Sequence, residues 1–185
     1  MEDASAEELR AYVGLGSNLG DRAGNLLLGV RGMLNAGLRV ARLSSIYETE
    51  PVGVADEQPN YLNMVAELAG ARLPPPEHLL ARLLRVEYAL GRRREAPRAA
   101  RTIDLDLLIY GGATRETDFL TLPHPRLHLR RFVLAPLAEL APGGLHPLLR
   151  KSFAELLANT EDVSTVTLWK PEAKNSGSKV KGVKG

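Results

Sequence analysis

The apolar segments of this chain follow a single order, and that order limits the folds open to it. Apolar spacing, turn residues and capping residues together mark six segments. They are predicted as a strand at 10–15, a helix at 21–34, strands at 40–47 and 61–68, a helix at 74–90 and a strand at 101–110. This order is that of the ferredoxin-like split arrangement. We therefore predict an α+β fold with a ferredoxin-like βαββαβ core and a mainly antiparallel four-stranded sheet.

Further segments follow this core. Residues 128–140 and 152–159 predict two helices that would cover the other surface of the sheet, giving helices on both faces in a three-layer sandwich. Residues 164–170 predict a short edge strand. Residues 1–171 are expected to form one domain, and the Lys/Gly-rich residues 172–185 a disordered tail.

The spacing of apolar residues also predicts which side of each element is buried. In the first helix Leu27, Val30 and Leu34 recur at helical spacing, and in the second helix Leu79 and Val86 belong to the inner face. In the last strand, three alternate positions are expected to point together into the core. These are Leu105, Leu107 and Ile109.

Composition excludes several classes of protein. The chain of 185 residues has no cysteine, which excludes disulfides, thiolate zinc sites and a thiol nucleophile. No apolar run reaches the roughly 20 residues of a membrane-spanning helix, and residues 1–10 lack the order of a secretory signal. We expect a cytoplasmic protein without a membrane partner, and a monomer.

Positive charge is concentrated rather than spread over the chain. Four lysines lie in the last twelve residues, and without them the net charge of +2 becomes −2. Five arginines fall within ten residues. They are Arg92, Arg93, Arg94, Arg98 and Arg101. A local cationic patch on a nearly neutral body favours a small polyanion over a nucleic acid.

Two aspartates interrupt the apolar run at residues 103–110. On a strand, Asp104 and Asp106 point to the same face, and two neighbouring carboxylates repel each other unless a cation lies between them. Magnesium suits that position because it binds one or two protein carboxylates and completes its shell with phosphate oxygens and water. Solvated aspartates, or aspartates paired with arginines, remain the alternative.

The arginines before this strand support a phosphate site. Arg92, Arg94 and Arg101 carry guanidinium groups that bind phosphate oxygens bidentately and stay charged at any working pH. A solvated face or a contact with RNA is the alternative interpretation of such a run.

Three weaker signals accompany these motifs. The glycines at 14, 16 and 20 fit neither a P-loop nor a dinucleotide fingerprint, and predict a tight turn after the first strand. Tyr61 and Asn63 offer a ring and an amide on one strand face, suited to a heterocycle or to sheet packing. His124, between two prolines, is expected in an extended loop, where a lone histidine is more often structural than catalytic.

Read together, these motifs resemble one family. Gly16-Ser17-Asn18, residues 48–63, the Arg-x-x-Asp-x-Asp motif at 101–106 and Leu122-Pro-His-Pro125 are similar, in order and spacing, to the hydroxymethyldihydropterin pyrophosphokinases of folate biosynthesis. The resemblance covers roughly residues 11–140. It implies transfer of pyrophosphate from ATP to 6-hydroxymethyl-7,8-dihydropterin, and small molecules rather than nucleic acid as partners.

The resemblance also implies roles for single residues. Asp104 and Asp106 match the aspartates that hold two magnesium ions against ATP, and with Arg92 and Arg101 they form the expected catalytic set. The positions that match the ATP site are Glu87, Arg92, Arg94, Arg101, His124 and Arg130. The positions that match the pterin pocket are Thr49, Val52, Tyr61, Asn63 and Phe132.

The chain departs from the family pattern before the aspartates. Where the family usually has a basic residue, an aromatic residue, Gly and Pro, this chain has Pro97-Arg98-Ala99-Ala100. Two other functions remain open from the residues. A nucleotidyltransferase would use the same metal chemistry with another acceptor, and a ferredoxin-like RNA-binding module would need paired aromatics on its central strands, which these strands lack.

Overall fold

The computed structural model of this chain describes residues 8–51, 58–70, 73–92 and 100–171. The predictions for Val52, for Arg94 and for the tail at 172–185 fall outside these ranges. The strands are β1 (Arg10–Ser17), β2 (Val40–Leu43), β3 (Tyr47–Thr49), β4 (Tyr61–Ala69), β5 (Asp104–Tyr110), β6 (Arg115–Glu116), β7 (Thr121–Leu122) and β8 (Val166–Leu168). The α-helices are α1 (Arg22–Asn35), α2 (Pro76–Ala89), α3 (Arg131–Leu140) and α4 (Phe153–Ala158), and a 3₁₀ turn spans Leu127–Leu129.

The main sheet has the predicted ferredoxin-like core. Its strands run in the order β5-β1-β4-β3-β8, β2 also pairs with β4, and every pairing among these strands is antiparallel. The edge strand predicted at 164–170 is present as β8. Strands β6 and β7 form a separate hairpin.

The strand predicted at 40–47 is divided into β2 and β3. Between them, the Ser44 hydroxyl accepts a hydrogen bond from the Val65 N–H at 2.9 Å, while the Ser44 N–H donates to the Val65 carbonyl oxygen. A side chain thus takes one place in the ladder that a backbone carbonyl would fill. Both halves still pair with β4, so the topology is unchanged.

Helices cover both faces of the sheet, as predicted. Helices α1 and α2 pack on one face over a core that includes Leu15, Leu83 and Leu105, and α3 and α4 pack on the other face over a core that includes Leu134 and Phe153. The sequence alone therefore identified the three layers, because each helix carries one apolar stripe.

The buried face of α1 differs from the prediction. Val30 is buried, but the side chains of Leu27 and Leu34 are 60% and 51% exposed, and the buried residues are Leu26, Gly29, Val30 and Met33. The run of leucines at 26–28 made several stripes equally plausible. Gly29 decides between them, because a Cβ there would lie only 3.2 Å from Ile103 Cδ1, so the helix approaches the sheet at this point.

Strand β5 contains an irregularity that reverses its alternation. Val13 pairs with Leu107 but Tyr12 pairs with Ile109, so Leu108 is an extra residue, as in a β-bulge. Leu105 and Leu107 face α1 and α2 as predicted, whereas the prediction for Ile109 was wrong, since it packs in the core under α3 and α4. The two aspartates precede the bulge and share the face opposite Leu105.

Among the described residues, no helix combines the length and apolar character needed to cross a membrane.

Candidate active site

Glycines of β1 form the floor of the candidate site. Gly16 pairs with Asn63 of β4 on one side and with Asp104 of β5 on the other, and Gly14 pairs with Asp106. A Cβ on Gly16 would lie 2.9 Å from Asn63 Oδ1. The predicted tight turn begins too early in the sequence, because β1 continues to Ser17, and these glycines instead leave bare backbone between an amide and two carboxylates.

The two aspartates have different surroundings. Asp104 pairs with the guanidinium groups of Arg92 and Arg101. Burial would raise the pKa of Asp104, but these two arginines hold it below the usual value. Burial, and then the negative charge of Asp104, raise the pKa of Asp106 to about 6. The pair therefore carries negative charge that a further cation would neutralise.

Glu87 connects helix α2 to this pair. Its side chain is 2% exposed, and Oε1 accepts a hydrogen bond from the Leu105 N–H at 2.7 Å and pairs with Arg92. Burial raises the pKa of Glu87 to about 7. Arg92 thus bridges carboxylates from a helix and a strand, which fixes its guanidinium above the aspartates.

Two further predicted residues lie near the start of α3. Arg130 immediately precedes this helix, its guanidinium lies 5.4 Å from the centroid of the Phe132 ring, and its charge partly opposes the rise in the pKa of Asp106. The backbone N–H of His124 donates to the Leu108 carbonyl at 2.8 Å, and its Nδ1 accepts from the Arg126 N–H at 3.3 Å. Burial lowers the pKa of His124 to about 4, so the ring is neutral near pH 7.

Three of the five residues predicted for the heterocycle lie on β3 and β4, across Gly16 from Asp104. Asn63 Nδ2 donates to Thr49 Oγ1 at 2.7 Å, and both residues are buried. Tyr61 lies two residues before Asn63 on β4, and its hydroxyl donates to Gln58 Oε1 at 3.4 Å. Burial raises the pKa of this hydroxyl, and the positive charge of Arg101 opposes the rise. Tyr61 therefore lies near both the Asn63 amide and the arginine that pairs with Asp104.

Asn18 completes the site, although no role for it was predicted from the sequence. It is 1% exposed, its Oδ1 accepts from the Arg101 N–H at 2.7 Å, and its Nδ2 donates to Gln58 Oε1 at 3.1 Å. Its own N–H donates to the Arg101 carbonyl. In the sequence, Asn18 follows the first strand and belongs to the Gly16-Ser17-Asn18 motif, but neither feature indicates its partners, which lie 83 and 40 residues away.

Fold and site together define a class. The chain is an α+β protein of ferredoxin-like topology whose sheet carries two aspartates on one strand, one of them paired with two arginines, beside a buried polar pair on β3 and β4. The model of the 7,8-dihydro-6-hydroxymethylpterin-pyrophosphokinase family matches residues 12–142. The chain belongs to this family.

Similar proteins agree with the family match. The chain is 45% identical over 131 residues to the 2-amino-4-hydroxy-6-hydroxymethyldihydropteridine pyrophosphokinase of Bacillus subtilis (strain 168), covering 70% of this chain and 77% of the relative. It is 36% identical over 144 residues to the protein of the same name from Aquifex aeolicus (strain VF5), covering 78% of this chain and 88% of the relative.

Solved structures share the fold. A Plasmodium falciparum HPPK-DHPS structure with pteroate superposes with a TM-score of 0.64 at 13% identity, over 82% of this chain and 44% of that chain. An HPPK-DHPS structure in complex with substrates gives a TM-score of 0.65 at 12% identity, over 82% and 43%. The chain spans less than half the length of these two structures, so the likeness concerns one part of them.

Proposed function

We propose that this protein transfers a pyrophosphoryl group from ATP to 6-hydroxymethyl-7,8-dihydropterin, giving AMP and the pterin diphosphate in folate biosynthesis. One observation carries the proposal. Asp104 with its two arginines lies across Gly16 from the Asn63 amide, so a phosphate site and a heterocycle site share one glycine floor. The names of the bacterial relatives support the same reaction.

Asp104 and Asp106 would hold magnesium, and we propose two ions. Their donor set fits this metal, because both offer only carboxylate oxygens on one face of β5. Burial and the negative charge of Asp104 raise the pKa of Asp106, and a cation bound between the two carboxylates would offset both effects. When bound, magnesium would neutralise the phosphates and polarise them for transfer.

The arginines would bind the phosphates of ATP. Arg92 and Arg101 contact Asp104 in this structure, and neutralising the aspartates by cations would let their guanidinium groups turn to phosphate oxygens nearby. Glu87 would keep Arg92 in place, and Arg130 and the neutral His124 would contact the nucleotide from the start of α3. Arg94, outside the described residues, belongs to the same proposed set.

The pterin would bind over β3 and β4. The Asn63 amide, fixed by Thr49, offers paired donor and acceptor groups for the edge of the ring. Tyr61 and Phe132 provide aromatic surface for the faces of the ring. Val52 is proposed for the same pocket on the family resemblance alone.

The reaction follows from this placement. The hydroxymethyl oxygen attacks the β-phosphorus of ATP in line, a new O–Pβ bond forms, the bond from Pβ to the oxygen bridging to the α-phosphorus breaks, and AMP leaves with that oxygen. The hydroxyl proton is released, and we assign no residue to accept it. Positioning by Arg92, Arg101 and the aspartates supplies most of the rate, because phosphoryl transfer needs little covalent help.

Product analysis tests this function. The purified protein is incubated with ATP, magnesium and 6-hydroxymethyl-7,8-dihydropterin, and the products are separated chromatographically. AMP and pterin diphosphate in equal amounts are expected, whereas free pyrophosphate with a nucleotidylated product would indicate a nucleotidyltransferase. Asp106→Asn should abolish turnover, and Asp118→Asn, an exposed aspartate outside the site, should not.

We also propose that the protein works as a cytoplasmic monomer, as expected from its sequence. Size-exclusion chromatography with light scattering under assay conditions tests the monomer directly. A dimer that persists at assay concentration would overturn this part of the proposal without affecting the reaction.

A further inference from the structure

Arg22 lies outside every residue set assigned above, at the first position of α1. The start of this helix is fixed, because the Asp21 carboxylate accepts a hydrogen bond from the Gly24 N–H at 3.0 Å. Asn25 Nδ2 also donates to the Leu19 carbonyl at 2.8 Å. The side chain of Arg22 therefore extends from an anchored point next to the end of β1.

The guanidinium of Arg22 joins two distant parts of the chain. Its Nη1 donates to Glu48 Oε1 at 2.7 Å and to the Asn60 carbonyl oxygen at 2.7 Å. These partners are 26 and 38 residues away in sequence. The side chains of Arg22 and Glu48 are 26% and 34% exposed, so solvent screens this ion pair less than one on an open surface.

The two partners flank the segment that connects β3 to β4. Glu48 immediately precedes Thr49, and Asn60 immediately precedes Tyr61. Thr49 pairs with Tyr61 as the last rung of the β3–β4 ladder. Arg22 thus connects Glu48 and Asn60, which lie on either side of residues 50–59. Both are next to the Thr49–Tyr61 pair, whose two residues are proposed to contact the pterin.

A bridge of this kind stabilises the last residue pair of the β3–β4 ladder. The final rung of an antiparallel pair opens most easily, and closing a connection of about ten residues costs loop entropy that nearby contacts must offset. Tyr47, Glu48 and Thr49 pair with Asn63, Leu62 and Tyr61, so loss of the outer rung would also loosen the Asn63–Thr49 contact.

We propose that Arg22 is a positioning residue for the heterocycle pocket, acting through Glu48 and the Asn60 carbonyl without touching the substrate. The proposal rests on the proposed function, because it assigns the β3–β4 end to the pterin. It predicts an effect confined to one substrate, since the phosphate-binding groups Arg92, Arg101 and Asp104 have other supports.

Steady-state kinetics on Arg22→Ala test the proposal. The KM for 6-hydroxymethyl-7,8-dihydropterin should rise about tenfold, while the KM for ATP and kcat stay within about twofold. Arg31→Ala, which removes an exposed arginine from the same helix, should change none of the three constants. Equilibrium binding of 6-hydroxymethylpterin, followed by fluorescence, should weaken in the same proportion as the KM.

Milder variants keep the test usable if Arg22→Ala does not fold. Arg22→Lys keeps a charge but loses the planar fork, and Glu48→Gln removes the ion pair while leaving the Asn60 carbonyl in place. Both should raise the pterin KM by smaller factors. Unchanged pterin constants in these folded variants, or an equal rise of both KM values, would overturn the role of Arg22. A wild-type protein that forms no AMP would instead overturn the proposed function itself.

Discussion

Asp104 and Asp106 are the same chemical group on the same face of one strand, yet their neighbours separate their pKa values. The two-residue spacing was enough to predict the shared face, because alternation along a strand is a local property. It could not predict that both arginine contacts go to Asp104, leaving Asp106 with a pKa raised to about 6. Arg92 reaches Asp104 only because α2 and β5 are packed side by side.

The lowered pKa of His124 should affect how the stability of the protein depends on pH. Burial, with Arg130 and Arg126 nearby, lowers its pKa from 6.5 to about 4 in the folded protein. At this residue the unfolded chain binds more protons than the folded protein between about pH 4 and 6.5, so His124 contributes a rise of the free energy of unfolding with pH. The raised pKa values of Asp106 and Glu87 contribute in the opposite direction. His124→Gln should therefore lower the slope of stability against pH in this window, as measured by urea unfolding at several pH values.

The matched comparison for this prediction is His78→Gln, which replaces a histidine outside the candidate site. It should leave the slope between pH 4 and 6.5 close to that of the wild type. An identical pH dependence in wild type and His124→Gln would show that His124 does not titrate as a buried neutral ring.

Among the strands, β1 forms part of the candidate site as well as part of the sheet. Its two glycines remove side chains where β4 and β5 present an amide and carboxylates, so the site lies on the strand itself rather than in a turn after it. The sequence predicted the turn because Gly-rich runs usually mark one. The close approach of Asn63 Oδ1, which explains Gly16, depends on a partner 47 residues away and leaves no local pattern.

Substituting alanine for Gly16 of β1 should weaken binding of the pterin. In Gly16→Ala the new Cβ would lie 2.9 Å from Asn63 Oδ1, so the amide must shift, which disturbs the hydrogen bond that Asn63 Nδ2 donates to Thr49 Oγ1. We expect the affinity for the pterin to fall by about tenfold or more, since small displacements of positioning groups have such effects. Steady-state kinetics and pterin binding measure the change.

Gly14→Ala is the control on the same strand. Its Cβ would meet only the Leu108 side chain at 3.5 Å, an ordinary van der Waals distance. The pterin constants of this variant should stay within about twofold of the wild type. Equal effects from the two alanines would contradict the role given to the space above Gly16.

Features of the helices and strands that depend on local signals could be predicted from the sequence. Features that depend on contacts between distant residues could not. Asp21 and Ser152, the first residues of the helices predicted at 21–34 and 152–159, are the N-caps of α1 and α4, and such capping signals act within one turn. The bulge at Leu108 reversed the prediction for Ile109, and nothing in an unbroken apolar run marks an extra residue. The buried face of α1 was misassigned because the leucines at 26–28 allow several apolar stripes, and the contact of Gly29 with Ile103 that decides between them is distant in sequence.

At the scale of the whole molecule, the sheet separates two apolar cores, one under α1 and α2 and one under α3 and α4. The central strands contribute side chains to both, so we expect the two layers to unfold together as one domain over residues 1–171. The sequence predicted both layers. It did not predict the bulge at Leu108, which turns Ile109 into the core under α3 and α4.

Core substitutions test this cooperativity. Leu83→Ala and Leu134→Ala each remove a fully buried side chain, one from each core, and each should lower the free energy of unfolding by about 2–5 kcal/mol. Both variants should still unfold in a single transition by circular dichroism. Leu27→Ala, at a side chain 60% exposed, should change stability far less.

Two separate transitions in either core variant would show that the layers fold independently. A version of the chain ending at residue 171 should unfold with the same midpoint as the full chain, since the described contacts that define both cores lie before that point.

In the proposed mechanism, Asp104 and Asp106 of β5 hold cations, and the guanidinium groups of Arg92 and Arg101 bind the phosphates. The most direct measurement is a crystal structure with magnesium, a non-hydrolysable ATP analogue and the pterin. We expect magnesium about 2.0–2.1 Å from oxygens of Asp104 and Asp106, with Arg92 and Arg101 on phosphate oxygens. Cations and phosphates bound away from β5, with Asp104 still paired to both arginines, would contradict the account.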